Sequence, residues 1–148
     1  MIKDKSCSAY IIPVRNNMVA MLDYGNHNYG PIGGRLDDGE GFYDALRREL
    51  TEELGIESLK ILDSITEIPT PYSFHHDNIA RAEKRGAWAE EHHFFVTHVT
   101  DDINLKFIEN RVENISVVWL PIKDLLNPNV IVFDDMREFF AKHVINAI

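Results

Sequence analysis

Residues 34–56, GRLDDGEGFYDALRRELTEELGI, crowd acidic side chains onto one short helical segment and constrain the fold more than any other part of the chain. At about 100° per residue, Leu50 and Leu54 lie roughly 40° and roughly 80° round from Leu46, whereas Glu49, Glu52 and Glu53 fall near roughly 300°, 240° and 340°. The acids form a stripe beside the apolar one. If Tyr43, Leu46, Leu50 and Leu54 dock on a core, Glu49 and Glu53 are drawn to its edge. Like charges three and four positions apart repel, and partial burial raises that cost. Arg48, four residues before Glu52, can hold that acid but cannot neutralise the whole group. A hard divalent cation with oxygen ligands is the expected compensation, magnesium above all, because it keeps waters and bridges to phosphates.

The ends of the segment support the same unit. Gly41 is an acceptable N-cap, Asp44 suits the first turn and its dipole, and Gly55 is expected to supply a left-handed residue that stops the helix. Upstream, Pro31-Ile32-Gly33-Gly34 gives a backbone that can approach a metal or phosphate, since glycine has no side chain in the way. An incidental acid run on a solvated helix would alternate charge sign in pairs, which this one does not.

Gly34, Glu40, Arg48, Glu49, Leu50, Glu52, Glu53, Gly55 and Ile56 together resemble the Nudix box at every defining position. The resemblance implies a hydrolase of nucleoside diphosphates linked to another moiety, with water attacking a phosphoanhydride in the presence of magnesium or manganese. By position, Glu49 and Glu53 look like the principal metal ligands, with Glu52 a further ligand or the base that activates water. Arg48 looks like the residue that orients the glutamates, Glu40 like a supporting acid, and the carbonyl of Gly33 or Gly34 like the backbone ligand. The family often adds an acid from a later segment, and Glu90 or Glu91 is similar in place. Many members carry a proline directly before the paired glycines and a tryptophan shortly upstream; here Ile32 intervenes and Tyr29 is the nearest aromatic. A sensor that binds nucleotide on the same fold without catalysis is the alternative. The family often forms dimers, which leaves both a homodimer and a monomer open for this chain.

A chain of 148 residues with 45% hydrophobic side chains suits one domain with a real core. Its net charge of -9 makes it a poor holder of duplex nucleic acid, whose phosphates call for basic patches. A small anionic nucleotide fits only if a metal and local cations reverse the field. The single Cys7 excludes an internal disulfide framework, suits a reducing cytoplasm, and is expected as a buried small hydrophobe. The N-terminal stretch lacks a signal-peptide core and no segment is long enough to span a bilayer, so a cytoplasmic location is expected.

Ser8 to Val14 and Met18 to Asp23 read as a hairpin about Arg15-Asn16-Asn17, with a second turn at Gly25 to Asn28. Leu59 to Ile68, His92 to Val99 and Ile115 to Leu120 read as strands, and Pro121 to Leu126 as a short helical turn. Asp134 to Ala147 carries a helical pattern, with Asp134-Asp135 complementing its dipole. Strands interleaved with two helices predict an α/β fold, a mixed sheet sandwiched between helices in an αβα arrangement. Pro69 to Glu91 is the least regular stretch. It offers either a loop and short helix beside the site, with Tyr72 stacking on a base and Arg81, Lys84 or Arg85 meeting a phosphate, or a surface insertion with a solvated basic turn. Pro71 and Tyr72, the fifteenth and sixteenth residues after Ile56, are competing family markers for ADP-ribose and for diadenosine polyphosphates. His92 and His93 cannot both face one pocket from a strand, and neither histidine pair has helical zinc spacing.

Overall fold

The computed structural model describes residues 1–109, 114–129, 131–132 and 136–148, with the side chains of all but 56–59 and 131–132. Strand β1 (Lys3–Arg15) turns through Asn16 and Asn17 into β2 (Met18–Asp23). Both turn residues have positive φ, 52° and 62°, which suits the right-handed twist of a tight hairpin. Asn17→Val should therefore cost about 1–2 kcal/mol of stability in thermal melts, while Asn17→Gly should cost nothing.

The second turn leads to β3 (Asn28–Gly30) and β4 (Ile32–Arg35), and then to helix α1 (Phe42–Leu54). Two further strands, β5 (Ile65–Glu67) and β6 (Tyr72–His75), precede helix α2 (Ile79–Arg85). Strands β7 (Ala87–His98), β8 (Ser116–Pro121) and β9 (Ile131–Val132) complete the sheet.

β1 organises the whole. Its length lets it pair parallel with β7 along one side, while its other side takes β4 at Ser8 to Ile11 and β2 at Val14 and Arg15, both antiparallel. The sheet is mixed, as the first hairpin predicted.

Side chains alternate across this sheet and build two cores. Ala9, Ile11, Ile32 and Phe95 meet Leu46, Leu50 and Leu54 of α1 on one face. Ile12, Val14, Met21 and Phe94 meet Met136, Phe140 and Val144 on the other. Each fully buried aliphatic side chain contributes about 1.5–3 kcal/mol, so α1 is fixed to the sheet by its leucine stripe.

Several local expectations are corrected. Leu59 to Ser64 lies in a 3-10 helix (Ile56–Ser64), leaving only Ile65–Glu67 as strand. The C-terminal helix is α-helical only at α3 (Arg137–Phe139); it widens into a π turn at Phe140–Val144 and tightens to 3-10 at Ile145–Ala147. Asp134 and Asp135 lie outside the described residues. Pro69 to Glu91 is more regular than its composition suggested: it holds β6, α2 and the start of β7. Tyr43 is 42% exposed, with Arg47 over its ring, and Phe42 packs on the core in its place. Gly55 has φ 89° and ψ 163°, positive but extended, so the helix stops without a left-handed helical residue. Cys7 is half-buried within β1 and not a core residue.

Candidate active site

Docking of the leucine stripe swings Glu49 and Glu53 over the paired glycines of β4. Glu53 is only 6% exposed, and the amide of Gly33 donates to its Oε1 at 3.3 Å. A Cβ placed on Gly34 would lie 2.5 Å from Oε1 of Glu49. The cradle is therefore glycine because a carboxylate fills the space a side chain would need.

The two carboxylates lie close enough to perturb each other's ionisation. Burial, then the charge of Glu49, pushes Glu53 up to about 9. Glu49 is raised too, chiefly by burial, despite the nearby Arg48. Without a cation, this pair cannot carry two negative charges at neutral pH.

Arg48 ties helix to loop. Its Nε and Nη2 donate to the two oxygens of Glu40, both at 2.9 Å, and Nη1 donates to Glu49 Oε1 at 3.0 Å. Nη2 also donates to the carbonyl of Arg35 at 2.9 Å, and Glu52 Oε2 lies 3.6 Å from Nη1. Glu40 is held down at about 2 by Arg48 and by the amide of Asp37. A planar guanidinium suits this two-sided task better than an ammonium would.

On the face of the sheet opposite α1, a cavity of about 860 Å³ is lined by Tyr10, Tyr72, Phe74, His76, Arg81, Lys84, Arg85, Glu90 and His92. The ring of His92 stacks parallel to Tyr72, with centroids 6.2 Å apart, and packs on Phe74. Burial lowers His92 to about 4, against the pull of Glu90, so the imidazole is neutral at pH 7.

Glu90, 1% exposed, accepts from Arg85 Nη2 at 2.7 Å and Arg35 Nη2 at 3.3 Å, and meets His76 Nε2 at 2.6 Å. Burial alone would raise its pKa, but Arg85 and His76 outweigh that and hold it at about 2. Arg35 also donates to the carbonyl of Arg85 at 2.7 Å, so the residue after Gly34 is fastened to the end of α2. Tyr10, on the cavity wall, pairs in the sheet with Gly33. Cavity and carboxylate pair thus flank the same glycines.

The structure gathers Gly33, Gly34, Glu40, Arg48, Glu49, Glu52 and Glu53 into one cluster, and Tyr72, Arg81, Lys84, Arg85 and Glu90 around the cavity. Glu91 is not with Glu90: it points to the α1 face, where Lys5 Nζ donates to it at 3.0 Å and His93 Nε2 meets it at 2.9 Å. His92 and His93 separate in the same way, His93 lying on Phe42 of α1. Arg35, His76 and Tyr10 were not singled out from sequence. The signal for Arg35 was its place directly after the paired glycines, a charged residue following a backbone built for close approach.

The NUDIX domain model matches residues 7–142, and the chain belongs to the Nudix family, pyrophosphohydrolases acting on nucleotide-linked substrates. Among solved structures, a MutT protein from Methanosarcina mazei Go1 aligns with a TM-score of 0.60 at 18% identity, covering 96% of each chain. The E. coli ORF135 protein aligns at 0.58 and 19%, over 94% of this chain and 90% of that one. The E. coli dihydroneopterin triphosphate pyrophosphohydrolase aligns at 0.57 and 16%, over 84% and 86%. Likeness at such identities is a likeness of fold. No curated protein matches the chain significantly. Among the described residues, no helix is long and apolar enough to cross a membrane.

Proposed function

We propose that this chain hydrolyses a phosphoanhydride in a nucleoside diphosphate linked to another moiety, with a divalent cation at the glutamate cluster. The observation that carries the reading is the Glu49–Glu53 pair, a part-buried and a buried carboxylate crowded together over bare glycine backbone. All-oxygen donors and an unmet demand for positive charge fit a hard ion, magnesium or manganese. Glu49, Glu53 and a carbonyl of Gly33 or Gly34 would hold it, and it would supply neutralisation of diphosphate charge and a lower pKa for water.

The side chains divide the remaining work. Arg48 orients Glu49 and fixes the loop through Glu40. Glu52, with 44% of its side chain exposed and a 3.6 Å contact to Arg48, would accept the proton of attacking water. Glu90 is a poor base, because a carboxylate held at about 2 by Arg85 and His76 has little affinity for a proton at pH 7; it positions Arg85 instead. Tyr72 and Phe74 offer ring faces to a base, and Arg81, Lys84 and Arg85 offer charge to outer phosphates.

The test is product formation from nucleoside triphosphates, ADP-ribose, dinucleoside polyphosphates and dihydroneopterin triphosphate, each with and without magnesium. Metal-dependent cleavage is expected; tight binding of a nucleotide with no cleavage of any compound would favour the sensor alternative. Arg81→Ala and Lys84→Ala should each raise KM about 5- to 20-fold, the loss of one charge-assisted contact, with kcat changed less. Unchanged KM in both variants would remove the phosphate role of α2.

A further inference from the structure

Three further ligand-type side chains converge away from the glutamate cluster. Cys7 and Glu91 are direct partners in the parallel pairing of β1 with β7, and His93, two residues on, shares their face of the sheet. One ligand atom from each lies within 4.8 Å of the others. Donors of one tetrahedral zinc ion, at bond lengths of about 2.0–2.3 Å, stand roughly 3.3–3.8 Å apart, so closure by about an ångström would complete the set.

The surroundings of His93 point the same way. Its Nδ1 lies 3.5 Å from Glu67 Oε1, while Nε2 lies 2.9 Å from Glu91 Oε1. A neutral ring with its proton on Nδ1, facing Glu67, would aim the Nε2 lone pair at a second carboxylate. With a metal at Nε2 the ring would keep its proton on Nδ1, facing Glu67, and a carboxylate behind a histidine is the usual outer support of a metal-bound imidazole.

We propose that Cys7, Glu91 and His93 form a second metal site, selective for a borderline-soft divalent ion of the zinc type, with Glu67 as its outer partner. A thiolate, an imidazole and one carboxylate suit zinc and disfavour magnesium. The place is distinct from the glutamate cluster. His93 lies under Phe42, with ring centroids 4.2 Å apart, whereas Glu49 and Glu53 come seven and eleven residues later, roughly 10 and 16 Å along α1. The Cys7 carbonyl accepts from the amide of Leu36, so an ion here would join β1 and β7 to the loop that carries Glu40. Lys5 Nζ, 3.0 Å from Glu91, occupies the ion's charge in its absence and must swing aside, which its half-exposed stem allows.

Cobalt(II) is the probe, because a cobalt-thiolate bond gives a near-ultraviolet charge-transfer band that oxygen ligands do not. The intact chain in millimolar magnesium should show that band at one equivalent, and zinc should displace it. Cys7→Ser and His93→Asn should abolish it, Glu67→Gln should weaken cobalt binding about 10-fold, and Glu53→Gln should leave it unchanged. Lys5→Ala, which removes the competing ammonium, should tighten binding several-fold and keeps the test sound if Cys7→Ser folds poorly. Absence of the band in both the natural chain and Lys5→Ala, or its persistence in His93→Asn, would overturn the site.

Discussion

Glu53→Gln is expected to lower turnover about 10³-fold, equivalent to about 4 kcal/mol, while making the metal-free protein more stable at pH 8. The two effects share one cause. In the folded chain Glu53 is pushed up to about 9 by burial and by Glu49, whereas the unfolded chain releases that proton near 4.5. Between those values the unfolded state binds fewer protons than the folded one, so rising pH favours unfolding. Stability of the metal-free protein should fall as pH climbs from about 5 to about 9. Glutamine keeps an acceptor for the Gly33 amide and a donor toward Glu49, yet has no proton to lose.

The gain at pH 8 should reach about 2–4 kcal/mol, a rise in Tm of roughly 5–10 °C, and should vanish near pH 5. Magnesium should narrow the gap, since it stabilises only the natural chain by binding its folded state. Melting curves at both pH values, with and without magnesium, provide the check. A variant melting at or below the natural chain at pH 8 would show that Glu53 carries no such burden.

The chemistry was more legible in the sequence than its surroundings, for a physical reason. Helical spacing alone puts Glu49 and Glu53 beside Leu46 and Leu50, so their crowding at the margin of the docking face could be anticipated from local geometry. The hairpin and its mixed sheet were equally local, because Asn16-Asn17 accepts positive φ. Tyr43 and Phe42 are adjacent, and periodicity near the first turn does not decide which of them the core takes; tertiary packing chose Phe42. In the segment from Pro69 to Glu91, β6 owes its strand form to pairing with β7 at Tyr72 to His75, a long-range contact that its mixed composition does not announce. The roles of Arg35 and His76 were hidden likewise, since both depend on Glu90, fifty-five and fourteen residues away.

The paired glycines give the last contrast. Gly33 has φ +140°, and a Cβ there would lie 2.1 Å from the carbonyl oxygen of Ala9 and 2.8 Å from Cα of Tyr10. Both obstacles are backbone of β1, so Gly33→Ala must part β1 from β4 and should cost about 3–5 kcal/mol, enough to leave little soluble folded protein. At Gly34 the obstacle is the carboxylate end of Glu49, at 2.5 Å, which can rotate away. Gly34→Ala should therefore fold with a loss within about 1 kcal/mol but displace Glu49 from Arg48 and from the metal position, lowering activity about 10²-fold or more. Circular dichroism melts and magnesium-dependent turnover on both variants separate the cases. Equal stability of the two would contradict the pairing of Gly33 with Tyr10, while full activity in Gly34→Ala would show that Glu49 need not lie over the cradle for the reaction to proceed.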